Sequence, residues 1–439
     1  MMKYFTIKKS ILACLVLGTY LAHAQEVKPI SKKDFFEKLQ KSNLQGKIAD
    51  RNYESAKADV NQASSLFLPN VSASFTGIKT NSPLMAFGTK LNQKSVTMQD
   101  FDPTLLNDPE AIGNFNTKLE VMQPLINLDG FYGRKAAIAK SDAYKLQADR
   151  TREYLEVEGY KAYLQLQLVY KAANVLERAS KTSDENLKLV ENYFKQGMVQ
   201  KSDLLNVMVR VNEVKNQHQM MLSNVKNASN YLSFLLNENP DYIYKPIEDI
   251  DTQIQINQYP MMLNPERKDV QAIEKSTLAY QNMSKMYTLS LVPRINAFGS
   301  YELNDRKLLG FGASNYLVGV QMSWSIFDGN KTLSKVQKSK IDFLKAKEEG
   351  EMYRAQNQLE LNKTIRQLDD AERKAKTNLL AFEQSSEVFK IRKNRFLQGL
   401  EKTSDILMAE TQMYQKELEY LQSVFEFNFT KKYLDFLTK

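Results

Sequence analysis

Four segments of the chain alternate between apolar and polar residues with a period of two. Alternation over about ten residues predicts four strands, each with one apolar and one polar face. Two interpretations fit this pattern: strands of a membrane barrel, or a half-buried sheet of a soluble domain. The apolar positions, segment by segment, are Val71, Ala73 and Phe75; Phe115, Thr117, Leu119 and Val121; Ile295, Ala297, Tyr301 and Leu303; and Tyr316, Val318, Val320, Met322, Trp324 and Ile326.

Outside these segments, apolar residues recur every three or four positions, which indicates helices. Residues 130–195 contain no proline, and residues 329–398 contain a single interior glycine, Gly350. About 65 residues at ~1.5 Å each predict two helices roughly 100 Å long. A heptad seam, typical of a coiled coil, also includes the only histidine after residue 24, His218, for which it predicts a packing role. The seam consists of Val211, Val214, His218, Met221, Val225, Ala228, Leu232 and Leu235.

The second half of the chain repeats the sequence pattern of the first half. Matching stretches are Phe194–Leu205 with Phe396–Leu407, Pro69 with Pro293, and Asp129-Gly130 with Asp328-Gly329. The halves differ mainly between their paired strands, where the first half contains a long insert, Ser82–Phe115. Repetition on this scale predicts a duplicated architecture. The predicted organisation is a signal peptide at 1–24, a first structural repeat at 25–238, a linker at 239–264 and a second repeat at 265–439.

The stretches FKQGMVQKSDLL and FLQGLEKTSDIL each join two predicted helices. In both, a glycine is placed to end one helix in the left-handed conformation, and a serine is placed to cap the next. An aspartate follows in the first turn, where the helix dipole favours a negative charge. These residues are Gly197, Ser202 and Asp203 in the first turn, and Gly399, Ser404 and Asp405 in the second.

The first 24 residues have the features of a secretory signal. Three lysines precede the apolar segment 11–21, and Ala22-His23-Ala24 is a small-x-small cleavage site, so the mature chain is predicted to begin near Gln25. A lipoprotein signal ending at Cys14 is the alternative, although only four residues separate Lys9 from that cysteine. Because Cys14 is the only cysteine, the predicted mature chain contains no disulfide.

Composition excludes several kinds of chemistry. With no cysteine and one histidine, the mature chain is not expected to form a conventional zinc site or a histidine-dependent catalytic triad. We therefore predict no catalytic residue, cofactor or metal. The formal net charge of +9 includes three lysines of the signal, and the rest is spread along helices in which Lys and Glu alternate. This distribution is typical of solvated helix faces rather than of a nucleic-acid-binding surface.

If the chain spans a membrane, its strands must be the segments that cross it. After the signal, no window offers the ~20 apolar residues that a transmembrane helix needs. Four strands cannot close alone around a polar lumen, because an open sheet edge in lipid leaves backbone groups without hydrogen bonds. If these strands span a membrane, the barrel must be completed by other copies, and three chains would supply twelve strands.

In their order and spacing, these features resemble the TolC-like outer membrane efflux protein family. The resemblance covers the mature chain and rests on LPNVSAS and VPRINAF at the two proline-led strands, the Asp-Gly steps, the Gly-x5-Asp turns and the insert. It implies a homotrimer that is mainly helical with a membrane β-barrel portion. Long antiparallel coiled-coil helices would form a tunnel across the periplasm, and four strands per chain would contribute to a 12-stranded barrel in outer-membrane lipid.

The resemblance also implies roles for the two turns. Gly197, Met198, Val199, Gly399 and Leu400 correspond to residues that contact a periplasmic adaptor protein. Asp203 and Asp405 correspond to residues near the constricted periplasmic entrance, where a ring of carboxylates would concentrate negative potential. Two positions depart from the family: Met408 replaces a second aspartate found in many members, and Glu401 replaces a basic residue found in some second turns.

The function implied is passive conduction from an inner-membrane pump and a periplasmic adaptor to the exterior, in the outer membrane of a Gram-negative bacterium. A duct for type I protein secretion is the nearest alternative, and these residues do not separate the two. A periplasmic coiled-coil adaptor is an alternative of another class, but an adaptor normally has one helical hairpin and no duplicated strands. Carboxylates such as Glu302 and Asp305 form no nucleophile–base arrangement, which argues against an enzyme.

Overall fold

A computed structural model describes residues 26–255 and 258–439, so the predicted signal peptide lies outside the described residues. The described chain is mainly helical with antiparallel strands, as predicted. In chain order its elements are β1 (Glu26–Ile30), α1 (Lys32–Ser42), α2 (Leu44–Ser65), β2 (Asn70–Thr80), α3 (Pro83–Asn92), a short 3-10 helix (Met98–Phe101), α4 (Pro103–Asn107), β3 (Ile112–Ile126), α5 (Leu128–Lys195), α6 (Lys201–Leu236), β4 (Tyr242–Pro246), α7 (Lys268–Leu289), β5 (Arg294–Asp305), β6 (Ala313–Ser323), α8 (Lys331–Leu397) and α9 (Thr403–Thr438).

The four predicted strands form one antiparallel sheet in the order β2-β3-β5-β6. Its register pairs Val71 with Val121 and Lys118 with Glu302, and directly paired residues share a face of the sheet. The apolar and polar sets are thereby collected on opposite faces. Strand β6 ends at Ser323, so Trp324 and Ile326 lie beyond the strand to which the alternation assigned them.

Two short strands were not predicted. Strands β1 and β4 pair in parallel, with Glu26 opposite Tyr242 and Ile30 opposite Pro246. Strand β4 lies inside the segment predicted as a linker, residues 239–264. The pair is anchored to α6, because the Ser229 hydroxyl donates to Tyr242 O (3.1 Å) and accepts from Tyr244 N (2.7 Å).

The two long helices correspond closely to the proline-free segments of the sequence. Helix α5 has 68 residues and α8 has 67. The repeated Asp-Gly step begins them differently. Gly130 lies within α5, whereas Gly329 precedes α8 with φ +69° and the Asp328 carboxylate accepts from Thr332 N at 3.1 Å. The same dipeptide therefore lies inside the first turn of α5 but before the start of α8, where its aspartate caps the helix.

The chain forms two compact units, each built from both sequence halves. One contains residues 26–49, 148–267 and 354–439, and the other contains residues 50–147 and 268–353. The four-stranded sheet belongs to the second unit. In the first, Val211, Val214 and Val225 of the heptad seam are buried. Val211 and Val214 pack in one core with residues of α5, α8 and α9, whereas His218 is half-buried.

The insert between β2 and β3 has secondary structure of its own. It contains α3, the 3-10 helix and α4, and β3 begins within its predicted bounds, at Ile112. Helix α3 starts with Pro83 at its first position, where a missing N–H costs nothing. Along residues 26–255 and 258–439, no helix combines the length and apolarity that a membrane span requires.

Candidate functional site

The first helical turn follows a regular C-capping pattern. Gly197 has φ +74°, and its N–H donates to Phe194 O at 3.0 Å. The N–H of Met198 donates to Tyr193 O at 2.9 Å. These paired bonds define a Schellman motif, in which the left-handed residue is usually glycine. The prediction that Gly197 ends the helix in the left-handed conformation is confirmed.

The second turn repeats this geometry. Gly399 also has φ +74°, its N–H donates to Phe396 O at 3.0 Å, and Leu400 N donates to Arg395 O at 2.9 Å. The predicted placement of Asp203 and Asp405 in the first turns of α6 and α9 is confirmed as well. The duplicated sequence therefore produces two turns of the same backbone form.

The predicted N-caps are wrong in both turns. The N-cap residues are Gln200 and Lys402, and Ser202 and Ser404 instead lie inside the first helical turn. In the first turn, Asp203 is placed to close a capping box: its carboxylate accepts from Gln200 N at 3.1 Å. Because the residue three positions before each aspartate serves as the cap, both helices start earlier than the serines indicate. The hydroxyl of Ser202 lies 3.4 Å from Gln200 Oε1.

The two turns differ in the side chains that hold them. In the second, Glu401 accepts from Arg392 Nη1 at 3.0 Å and from Arg395 Nε at 2.9 Å. We call these three residues the arginine clasp. At the matching positions of the first turn are Val190, Tyr193 and Val199, which belong to or pack against the apolar core. One turn is thus fastened by charge and the other by apolar contacts.

The predicted adaptor-contact residues are brought together within the first unit. The rings of Tyr193 and Phe396 lie 5.8 Å apart and join the two turns. A cavity of about 840 Å³ between the turns is lined by Gly197, Met198, Val199 and Gly399, among others. Met198 and Leu400 project at the two tips, with exposed fractions of 64% and 63%. Two apolar side chains are therefore presented to solvent at equivalent places.

The two aspartates have different neighbours. Asp203 lines the cavity and is held by its capping box. Asp405 lies 4.0 Å from Arg392 and within 3.5 Å of the Ser404 hydroxyl. Both carboxylates are half-buried, so they combine partial solvent contact with a fixed position.

Sequence reasoning missed a buried carboxylate further along α9. Glu410 is fully buried and accepts hydrogen bonds from Ser183 Oγ (2.6 Å) and Asn186 Nδ2 (2.5 Å) of α5. Burial raises the pKa of Glu410 above its usual range, while these two donors and the nearby Arg210 act in the opposite direction. The only sequence signal was an acid between Leu407 and Tyr414, two apolar positions seven residues apart.

Among the described residues, no group of three or more His, Cys, Asp or Glu side chains is arranged to hold a metal ion.

Comparisons with known proteins agree with this architecture. Similar solved structures include the Campylobacter jejuni CmeC outer membrane channel, at TM-score 0.81 and 15% identity, covering 92% of this chain and 85% of that one. The outer membrane protein VceC of Vibrio cholerae has TM-score 0.78 and 14% identity, covering 92% and 95%. The Neisseria gonorrhoeae MtrE outer membrane channel has TM-score 0.75 and 14% identity, covering 92% and 88%. At these identities the likeness establishes the fold alone.

No curated protein sequence matches the chain. A family model described as outer membrane efflux protein, however, matches residues 38–238 and 262–423, which is most of the sequence. The chain therefore belongs to the outer membrane efflux protein family, whose members are outer membrane channels that work with adaptors and inner-membrane pumps.

Proposed function

We propose that this chain is one subunit of a trimeric duct that passively conducts substrates from an inner-membrane pump and a periplasmic adaptor to the exterior. The observation that carries this proposal is the four-stranded sheet, which has one apolar and one polar face. On β6 the apolar side chains are open to solvent, with Val320 exposed by 67%. An exposed apolar band on strands of this length suits contact with lipid.

The edges of the sheet argue for assembly. Strands β2 and β6 are the two ends of the strand order, so within the described part of the chain each leaves one side of its backbone without a partner strand. Unsatisfied backbone groups are costly in lipid, and pairing β6 of one copy with β2 of the next removes both edges. Three copies then close a barrel of twelve strands, with Lys118, Glu120 and Glu302 facing its lumen.

The two turns form the periplasmic entrance in this proposal. Exposed Met198 and Leu400 offer apolar contacts to an adaptor, and Gly197, Val199 and Gly399 shape the surface around them. Asp203 and Asp405, repeated by three-fold symmetry, would form acidic rings that favour cations at the entrance. Cargo and pump identity follow from the adaptor, which a pull-down from detergent-solubilised membranes would identify.

The duplication and the targeting signal complete the proposal. Residues 1–24 are removed on export, with cleavage near Ala24. Residues 25–238 and 265–439 derive from one ancestral half, joined by residues 239–264. The mature protein resides in the outer membrane, with its long helices in the periplasm.

Membrane fractionation combined with gel migration of unboiled samples tests the proposal. We expect the protein in the outer membrane as a trimer that resists SDS until it is boiled. Purified trimer should form ion-conducting channels in planar bilayers. A soluble periplasmic monomer, or a trimer that never conducts, would contradict the duct.

A further inference from the structure

The insert of the first half is fastened to the sheet at three places. Gln93, which follows α3, donates through Nε2 to Gly113 O (2.9 Å) and Asn114 Oδ1 (2.8 Å) of β3. Its Oε1 accepts from Arg306 Nε at 3.2 Å, in the connection between β5 and β6. Asn315 of β6 donates to Asn92 O at 3.2 Å. One end of α3 is therefore tied to residues from three successive parts of the sheet.

The insert lies on the polar face of the sheet. Asn116 pairs with Asn304, and Asn114 is two residues away on the same strand, so all three share a face with Lys118. Asn304 is only 1% exposed, and Asn114, Ala313 and Thr89 of α3 are also buried. Because Gln93 also bonds to Asn114 and Asn315 bonds to Asn92 O, the end of α3 covers this end of the polar face.

The insert has its own internal order. Lys90 Nζ lies 2.5 Å from Asp100 Oδ1, and the rings of Phe87 and Phe101 are 5.7 Å apart. The hydrogen bond from Lys90 is the main cause that lowers the pKa of Asp100 to about 2, so the Asp100 carboxylate remains ionised through the physiological range. The segment is thus a small folded element, not a loose loop.

The position of the insert along the duct follows from connectivity. Helix α2 precedes β2 and helix α5 follows β3, whereas the insert joins the opposite ends of these strands. If the helices lead to the periplasmic turns, the insert lies at the outer mouth. The second half has only the short connection 306–312 at this end, so each subunit carries a single insert.

We propose that α3 and its connections form a collar inside the outer mouth, which limits the size of the solutes that leave the duct. Gln93 is the positioning residue of this collar, because its amide joins the insert to both strand pairs. This inference rests on the proposed function, which assigns the polar face to the lumen.

Single-channel recordings in planar bilayers test the collar. The variants are Gln93→Ala, Gln93→Ala with Arg306→Ala, and a chain in which residues 83–107 are replaced by a short Gly-Ser link. Gln99→Ala is the matched control, since it makes the same change at an exposed position within the insert. We expect the three variants to raise conductance and to shift the cut-off for neutral polymers, added from the outer side, to larger sizes. The control should match the unmodified protein.

A second measurement does not depend on releasing the insert. Leu84, on α3, is 83% exposed, so Leu84→Lys adds a charge without disturbing the core. Inside the mouth this charge should shift ion selectivity toward anions. Equal conductance, cut-off and selectivity in trimers that all conduct would overturn the collar alone. Failure of the unmodified protein to conduct would remove the proposed function and the collar with it.

Discussion

Glu401 Oε2 accepts a hydrogen bond from Arg395 Nε across 2.9 Å, and its other carboxylate oxygen accepts from Arg392 at 3.0 Å. Glu401 is mostly buried between the two guanidinium groups. The arginine partners of Glu401 lie on the preceding helix of the same turn.

The arginine clasp should make the second turn more sensitive to charge than the first. We expect Glu401→Gln to weaken the second turn locally by about 1 kcal/mol, because the arginines are partly exposed and solvent screens them. Hydrogen exchange should become faster at residues 398–402 and stay unchanged at 196–200. High salt should likewise speed hydrogen exchange in the second turn and leave the first turn unchanged. Equal acceleration of both turns would show that the clasp does not account for the difference between them.

The positive φ of Gly399 predicts a second effect. Apart from the glycine and its two chain neighbours, no atom of the described residues lies within 4 Å of where a Cβ would be, so the cost of Gly399→Ala is conformational, about 1–2 kcal/mol. Export should fail while trimer yield stays normal, since the turn loses the shape on which the proposed adaptor contact depends. Gly88→Ala is the control, because Gly88 has equal space and lies inside helix α3.

A further variant separates backbone shape from surface shape. Asparagine tolerates the left-handed conformation better than alanine, so Gly399→Asn should restore the turn while still adding a side chain. If Gly399→Asn forms the turn but does not crosslink to the adaptor, the glycine surface itself is the contact. Normal adaptor crosslinking and export in both variants would refute the docking role.

The turns were predictable because their determinants are local. A glycine at the C-cap and an aspartate in the following first turn act within a few residues, and the duplication displays them twice. The serine caps were wrong for an equally local reason, since Asp203 bonds to Gln200 N and moves the helix start. The four strands were predictable because alternation reports which face each residue takes.

The other features depend on residues far apart in the sequence. Strand β1 finds its partner more than 200 residues away, and neither short strand shows a strong alternation of its own. Glu410 looks like a solvated helix acid until Ser183 and Asn186 are brought to it across the bundle. The collar depends on Gln93, whose partners lie on two different strand pairs.

Neighbouring residues on β6 test which face of the sheet meets lipid. Val320 pairs with Ala297 on the apolar face, and Gln321 pairs with Asn296 on the polar face. Val320→Arg should destabilise the inserted barrel by roughly 2–4 kcal/mol if it lies near the bilayer centre. Gln321→Arg should assemble normally and shift selectivity toward anions. Outer-membrane yield and reversal potential measure the two effects, and equal yields for both variants would contradict the assignment of faces.

Substitution of the aspartates at the two turns should change only how the channel handles ions. Asp405→Asn removes a carboxylate at the proposed entrance and leaves the side chain the same size, so block of the channel by multivalent cations should weaken. Asp203→Asn should act similarly, because the amide oxygen still accepts from Gln200 N. Glu37→Gln, at an exposed position of α1, removes the same charge far from the turns and serves as the control. Unaltered block and selectivity in trimeric Asp405→Asn channels would rule out its place at the constriction.

Glu410 predicts a pH dependence of stability. Its pKa in the folded chain is raised above 4.5, the ordinary value, chiefly by burial. The folded state therefore binds this proton more readily than the unfolded state does. The resulting stability is fully present below pH 4.5 and is lost as the pH rises through the raised pKa. Glu410→Gln does not titrate and keeps an acceptor for Asn186. As the pH rises from 4.5 to 8, its thermal midpoint should therefore increase relative to that of the unmodified protein.

Glu419→Gln provides a control, because the pKa of Glu419 is shifted in the opposite direction to that of Glu410. The hydrogen bond from Lys416 lowers the pKa of Glu419 below 4.5, so its contribution is present above pH 4.5 and is lost only as the pH falls through the lowered value. Between pH 4.5 and pH 8 the midpoint difference for Glu419→Gln should therefore stay nearly constant. Thermal unfolding of the detergent-solubilised trimers checks both variants. If the midpoint difference for Glu410→Gln were equally flat over this range, Glu410 would not be titrating as a buried acid. A flat difference would mean that Glu410 keeps one protonation state, charged or neutral, from pH 4.5 to pH 8, while its two hydrogen bonds still link α9 to α5.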